Sequence, residues 1–177
     1  DKIELEELKP SSRKYPYINF EYEKRLGKEI IHLSKINVTI GGKAILKNFS
    51  MTIRNDDKIA LIGENEIAKT TLFKVLTGEI IPDSGEIKIG TTVVMSYFPK
   101  NHDEYFTGQE NLVEFLRKYS DNKEDSFVRG FLGRMLFSGE ETLKSTAVLS
   151  SGEKIRLMFS KMMMKKGNIL LLDEPTN

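Results

Sequence analysis

The run Ile169-Leu170-Leu171-Leu172, followed at once by Asp173-Glu174, limits this chain more than any other stretch. Four consecutive aliphatic residues suit a strand buried on both faces, as in the parallel sheet of an α/β fold. Ligand sites in such sheets lie at the carboxyl ends of the strands, where this run delivers its two acids. Upstream, Ser150-Ser151-Gly152-Glu153 predicts a helix start: small hydroxylated residues, then an acid in the first turn. Ile155, Leu157, Met158, Met162 and Met163 give that helix a broad apolar face. Met162-Met163-Met164 reads as adaptable core packing. Lys165 and Lys166 suit the last turn, and Gly167 is expected to end the helix.

An apolar strand ending in Asp-Glu supplies what a phosphate-cleaving site needs. Asp173 can hold Mg²⁺ directly or through its water shell, and Glu174 can orient and polarise an attacking water. The alternative is an acidic turn after a strand. A second stretch bears on the choice. Lys58 to Ile62 predicts a short strand, followed by Gly63-Glu64-Asn65-Glu66-Ile67-Ala68-Lys69-Thr70-Thr71 and a helix over LFKVLTGE. Strand, turn, Lys-Thr, helix is the architecture of a phosphate-binding loop, with backbone N–H groups and a helix N-terminus around the phosphates. Lys69 would reach the β- and γ-phosphates, and the Thr70 hydroxyl would sit on Mg²⁺.

The combination of LSSGE at 149–153 with LLLLDEPTN at 169–177 resembles the ATP-binding cassette (ABC) ATPases, whose signature LSGGQ or LSGGE precedes a Walker B strand ending in DEPT. The form here looks most like the ABC-F branch, soluble proteins with two cassettes in one chain, many of which act on ribosomes. The resemblance covers about residues 28–177. It implies a P-loop NTPase fold of the cassette type: a mixed sheet core, an antiparallel β subdomain and a helical subdomain over about 105–148. It also implies ATP and Mg²⁺ as ligands, and a partner cassette closing head-to-tail around two nucleotides. Ser150, Ser151, Gly152 and Glu153 would then complete the partner's site, while Lys69, Thr70, Asp173 and Glu174 serve their own.

Three positions around the phosphates depart from the family pattern. Glu66 stands where a glycine is usual, Ala68 stands before Lys69 in place of glycine, and Lys100 holds the place of the Q-loop glutamine. A Cβ at 68 opposing a positive-φ backbone or crowding the phosphates would cost ~1–2 kcal/mol. A solvent-facing Glu66 carboxylate beside a polyphosphate would cost about 1 kcal/mol. Lysine can contact a phosphate but cannot accept a bond from water as a glutamine carbonyl does. Lys100 is otherwise an exposed loop lysine. Ile40 replaces the aromatic residue that the family stacks on adenine. The expectation is a weakened site on this loop and a better one on the partner.

Residues 1–27 are polar and charged. Ile3, Leu5 and Leu8 suit one or two amphipathic helical turns, broken by Pro10-Ser11-Ser12. Arg13, Lys14, Tyr15 and Tyr17 mix basic and aromatic residues, either as an RNA-binding composition or as a linker with an aromatic anchor. By the resemblance this segment is the end of the inter-cassette linker, which makes this cassette the second of two. Next, Ile30 to Leu33 and Val38 to Ile40 predict two strands, Gly41-Gly42 a turn, and Ala44 to Arg54 a further strand. His32 reads as a structural strand residue. Glu86 to Ile89 and Thr92 to Tyr97 predict two more strands, and Gln109 to Tyr119 and Asp125 to Phe137 two helices.

The 177 residues are one domain's worth of chain, 39% hydrophobic and 30% charged, with net charge +1. There is therefore no global basic signal for nucleic acid or anionic membrane, although a local patch stays open. The absence of cysteine excludes a disulfide framework and fits a cytoplasmic setting. No apolar run reaches the ~20 residues of a membrane helix. Opening on Asp1 and stopping just after a site-bearing strand, the sequence reads as a piece of a longer protein, inactive by itself. An ABC membrane transporter's ATP-binding subunit and a non-hydrolysing scaffold cassette are the competing expectations.

Overall fold

A computed structural model describes residues 15–175. The helical turn expected around Ile3, Leu5 and Leu8, the break at Pro10, and the basic pair Arg13 and Lys14 lie outside the described residues, as do Thr176 and Asn177.

The first layer is an antiparallel sheet. Strand β1 (Glu29–Ile40) and strand β2 (Lys43–Arg54) are joined by the turn at Gly41 and Gly42. Both turn residues have positive φ, 56° and 77°, which glycine adopts without steric cost in a tight hairpin. Strand β1 is continuous, where the sequence suggested two strands. Its polar middle is kept in the ladder by a bulge: Lys35 and Asn48 take φ of 50° and 48°. The Asn37 side chain pins the bulge, accepting from Asn48 N at 2.8 Å and donating to Lys35 O at 2.9 Å. His32 lies in this strand, its Nδ1 2.8 Å from Thr52 Oγ1 across the hairpin. Strand β3 (Ser84–Ile89) adds to the other edge of β1, giving the order β2-β1-β3.

Helix α1 (Glu66–Thr77) packs on this sheet. Leu72, Val75 and Leu76 meet Ile31, Leu33, Ile36, Val38 and Leu46 in one apolar cluster. The second cluster is helical. Helices α2 (Leu112–Arg117), α3 (Asp125–Arg134) and α4 (Ser151–Met164) enclose Leu112, Phe115, Val128, Leu132, Leu157 and Met158, all at most 2% exposed. Met162, Met163 and Met164 are buried there too. Helices α2 and α3 are shorter than the sequence suggested. Residues 103–106, 139–143 and 146–148 are single 3₁₀ turns instead, which suits segments too short to propagate an α-helix.

Between the clusters runs a parallel pair, β4 (Met95–Phe98) and β5 (Ile169–Leu172), in register from Met95↔Ile169 to Phe98↔Leu172. Phe98 faces the helical cluster and Leu171 the sheet cluster, so the pair joins the two. Residues 92–94, expected in β4, precede it: Thr92 lies in a turn, and Val94 bonds Asn168 and Ile169. Two expectations fail at β5. Leu170 and Leu172 are 40% and 42% exposed, so the strand is not covered on both faces. Lys58 to Ile62 forms no ladder among the described residues, and Ile62 is 94% exposed. Asp57, Ile59, Ala60 and Leu61 line a cavity of about 300 Å³ together with β5.

Residues 17–24 lie along the helical part. Tyr17 N donates to Arg134 O at 2.9 Å, the Phe20 ring meets Phe159 edge-on at 6.4 Å, and Glu23 pairs with Lys166. The anchoring ring is Phe20, while Tyr15 and Tyr17 stay exposed.

Candidate active site

The parallel register brings the site together. Asp173 N donates to Phe98 O at 2.9 Å, extending the ladder one residue past β5. This fixes the acids after β5 beside the segment that leaves β4, and the first turns of α1 complete the group.

Across 103 residues of sequence, Thr70 Oγ1 donates to Asp173 Oδ2 at 2.7 Å. Asp173 is only 3% exposed, so its carboxylate is held by this bond in a partly buried setting. A buried carboxylate touching a hydroxyl offers two oxygen donors side by side, which suits Mg²⁺, an ion that keeps several waters and takes its remaining ligands from phosphate.

Glu174 follows in the left-handed region, with φ of 52°. A non-glycine residue there carries about 1 kcal/mol of steric cost. The turn aims its carboxylate back at two lysines. Lys69 Nζ lies 4.0 Å from Glu174 Oε1, and Lys100 Nζ lies 3.1 Å from Glu174 Oε2. Lys100 also forms an ion pair with Glu66 Oε2. The hydrogen bonds that Lys100 donates, first to Glu66 and then to Glu174, hold its ammonium above its ordinary pKa.

The phosphate-loop segment differs from expectation. Helix α1 starts at Glu66, so Ile67, Ala68, Lys69, Thr70 and Thr71 are helical, and only Gly63, Glu64 and Asn65 precede it. Asn65 is the N-cap; its side chain accepts from Ala68 N at 3.1 Å. Positive φ occurs nowhere from 63 to 71. The strain expected at Ala68 is therefore absent: its Cβ sits on a helix and packs against the sheet cluster. The Glu66 carboxylate is paired with Lys100 and does not stand alone in solvent.

At the head of α4, Ser150 is the N-cap of a complete capping box. Its hydroxyl donates to Glu153 Oε2 at 2.7 Å, and Ser150 N reaches the same oxygen at 2.9 Å. These bonds, with Lys144 Nζ at 3.2 Å, bring the Glu153 carboxyl down to about 2. Ser151 and Gly152 are both exposed in the first turn, and no neighbour lies within 4 Å of a Cβ built at Gly152. These four residues thus form a separate group from the one around Lys69. Ile40, at the end of β1, is 43% exposed.

A family model described as ABC transporter matches residues 46–177. The chain belongs to the ABC transporter family. Among curated proteins, an uncharacterised ABC transporter ATP-binding protein of Bacillus subtilis strain 168, YkpA, is 52% identical over 179 residues, covering 100% of this chain and 33% of that protein. YbiT of Escherichia coli O157:H7, a probable ATP-binding protein, is 38% identical, covering 100% of this chain and 34% of that protein. The ATP-binding protein Uup of E. coli K12 is 36% identical over 89% of this chain and 25% of its own. The chain therefore spans about a third or less of the relatives it matches. Among solved structures, the ATP-binding cassette MJ0796, a dimer bound to ADP and Pi, aligns with TM-score 0.67 at 15% identity, over 83% of this chain and 75% of that one. At that identity the likeness speaks for the fold alone, and the fold is that of an ABC cassette.

Within this cassette, sequence reasoning missed two contacts: the Asn65 cap on Ala68 and the pairing of Glu66 with Lys100. The second left a trace. Two departures from the family pattern carry opposite charges, and both stand where the loop and the end of β4 approach one site.

Proposed function

We propose that this chain is the second cassette of an ABC-F protein, over residues 28–177, with 1–27 as the end of the inter-cassette linker and about 105–148 as the helical subdomain. It binds ATP with Mg²⁺ beside Lys69 and hydrolyses it when closed against the partner cassette of the same full-length chain. The observation that carries this reading is the 2.7 Å contact between Thr70 and Asp173, with Lys69 and Glu174 beside it.

In this reading Lys69 leaves Glu174 for the β- and γ-phosphates, and Thr70 and Asp173 hold the metal. Bound Mg²⁺ neutralises phosphate charge and polarises the transferring phosphoryl group. Glu174, freed of Lys69, orients the attacking water and accepts its proton. Gly63 to Thr71 must open from their self-capped form to receive phosphates, which exchanges Asn65 for ligand at Ala68 N. Ser150 to Glu153 serve the nucleotide of the partner. Ile67 and Val148, 61% and 71% exposed, lie beside the two half-sites and supply apolar surface for closure. Coupling of that closure to the ribosome, in the cytoplasm, follows from the ABC-F reading. The exposed Tyr15 and Tyr17 rings are available for stacking on RNA.

The test is calorimetric titration of MgATP into the intact protein with the partner's loop lysine replaced, so that only this site reports. Lys69→Ala should weaken binding about tenfold or more, a change of ~1.4 kcal/mol. Thr70→Ala should reduce the Mg²⁺ dependence of binding. Affinity that ignores both substitutions would leave a scaffold cassette as the better account. The naming of the B. subtilis relative favours a transporter subunit as the second reading; co-sedimentation with membrane subunits instead of ribosomes would select it.

A further inference from the structure

Glu66, Lys100 and Glu174 come from three elements: the first residue of α1, the segment after β4, and the turn after β5. Their side chains meet at one point. Lys100 pairs with Glu66 on one side and lies 3.1 Å from Glu174 on the other. With Lys69 4.0 Å from Glu174, two cations and two carboxylates form a balanced chain.

We propose that Glu66 and Lys100 are one compensated unit. Lys100 is the built-in counter-ion of Glu66, so that a carboxylate in the phosphate loop does not repel a triphosphate, and its second contact, to Glu174, keeps it from leaving Glu66 to become a phosphate ligand. This rests on the ATP-binding reading above. The charge argument is direct. A carboxylate a few ångström from a bound polyphosphate repels it, and a lysine in contact with that carboxylate cancels most of the effect. Removing Glu66 therefore matters little while Lys100 is present, and matters a good deal once Lys100 is gone. A lysine acting on the phosphates by itself gives the opposite pattern, in which Glu66 changes affinity by the same factor whatever stands at 100. The raised pKa of Lys100 agrees with a side chain held by carboxylates on both sides.

The experiment is a double-mutant cycle on the intact protein with the partner's loop lysine replaced, reading MgATP affinity for wild type, E66Q, K100Q and E66Q/K100Q. Gln at 66 keeps the shape of an exposed helix-start residue, so folding is not at stake. K100Q should weaken binding about five- to tenfold through the uncovered carboxylate. E66Q should change the wild type by less than about twofold and restore most of the loss in the K100Q background. Equal factors for E66Q in both backgrounds overturn the proposal, as does a K100Q protein that binds like wild type. A readout free of nucleotide separates this from failure of the ATP reading. In the nucleotide-free protein, amide exchange at the first turn of α1 should speed up in K100Q, and unchanged exchange there overturns the pairing. A wild type that binds no MgATP while showing this exchange response leaves the pair standing and removes the ATP reading.

Discussion

Ser150 and Glu153 spend their polar groups on each other. The Ser150 hydroxyl that the family pattern offers to a phosphate donates instead to Glu153 at 2.7 Å, and the carboxylate also takes Ser150 N. These bonds hold the Glu153 carboxyl at about 2, below its unfolded value of ~4.3. A carboxyl lowered by folding contributes stability that is fully present above the unfolded value and is lost as pH falls through the folded one. The head of α4 should therefore weaken as pH falls from ~4.3 to about 2. Glu153→Gln should remove that component of the acid unfolding curve and lower stability at neutral pH. Parallel acid limbs for the two proteins, followed by circular dichroism, would count against it. The Thr70–Asp173 contact was readable at this scale, because the residue types and their order match a known chemistry. The Glu66–Lys100 pair left only its opposite charges in the sequence, since no single-residue pattern encodes which two departures will meet.

The connection from helix α4 to strand β5 is pressed against β4 by a close approach at Gly167. The helix ends at Met164, and the left-handed residue after it is Lys166, with φ of 50°. Gly167 was expected to end the helix, but its use is different. A Cβ there would lie 2.4 Å from Ser96 Oγ and 2.8 Å from Ser96 N. Ser96 cannot yield, being fully buried, with its hydroxyl bonded to Met162 O at 3.0 Å. Gly167→Ala should thus cost about 1–3 kcal/mol by overpacking and lower the denaturant midpoint; a loss under ~0.5 kcal/mol, the usual range of a surface change, would show that β4 shifts freely. Elements whose pattern is local were legible: the β1–β2 hairpin from its glycine pair, and α4 from its cap and apolar face. Lys58 to Ile62 was not, because apolar composition supplies propensity while a strand needs a partner edge at ladder distance. The start of α1 was not either. Asn65 caps it from within, so residues that a ligand would hold as a loop are wound into the helix.

At the scale of the whole molecule, the two half-sites of this cassette are in different condition. The signature half is preformed, with its first turn exposed and its cap complete. The loop half is internally satisfied: Asn65 occupies Ala68 N, and Lys69 and Lys100 both attend Glu174. Phosphates must replace the Asn65 cap at Ala68 N and draw Lys69 from Glu174, while Lys100 stays with its carboxylates. The exchanged hydrogen bond forfeits ~0.5–1.5 kcal/mol and the loss of the Lys69 ion pair adds to it, so affinity falls severalfold, up to about tenfold, relative to a loop already open. Compensation of Glu66 by Lys100 limits the deficit without removing it. The site that Ser150 to Glu153 are proposed to complete exchanges one bond, that of the Ser150 hydroxyl to Glu153, and no ion pair of a loop lysine. In the full-length protein the pair of sites should therefore turn over unequally. Lys69→Ala should leave a measurable share of steady-state phosphate release, whereas alanine at the partner's loop lysine should abolish it. The reverse pattern, with turnover lost through Lys69 alone, would place the working site on this loop and mean that its self-capped form opens at little cost.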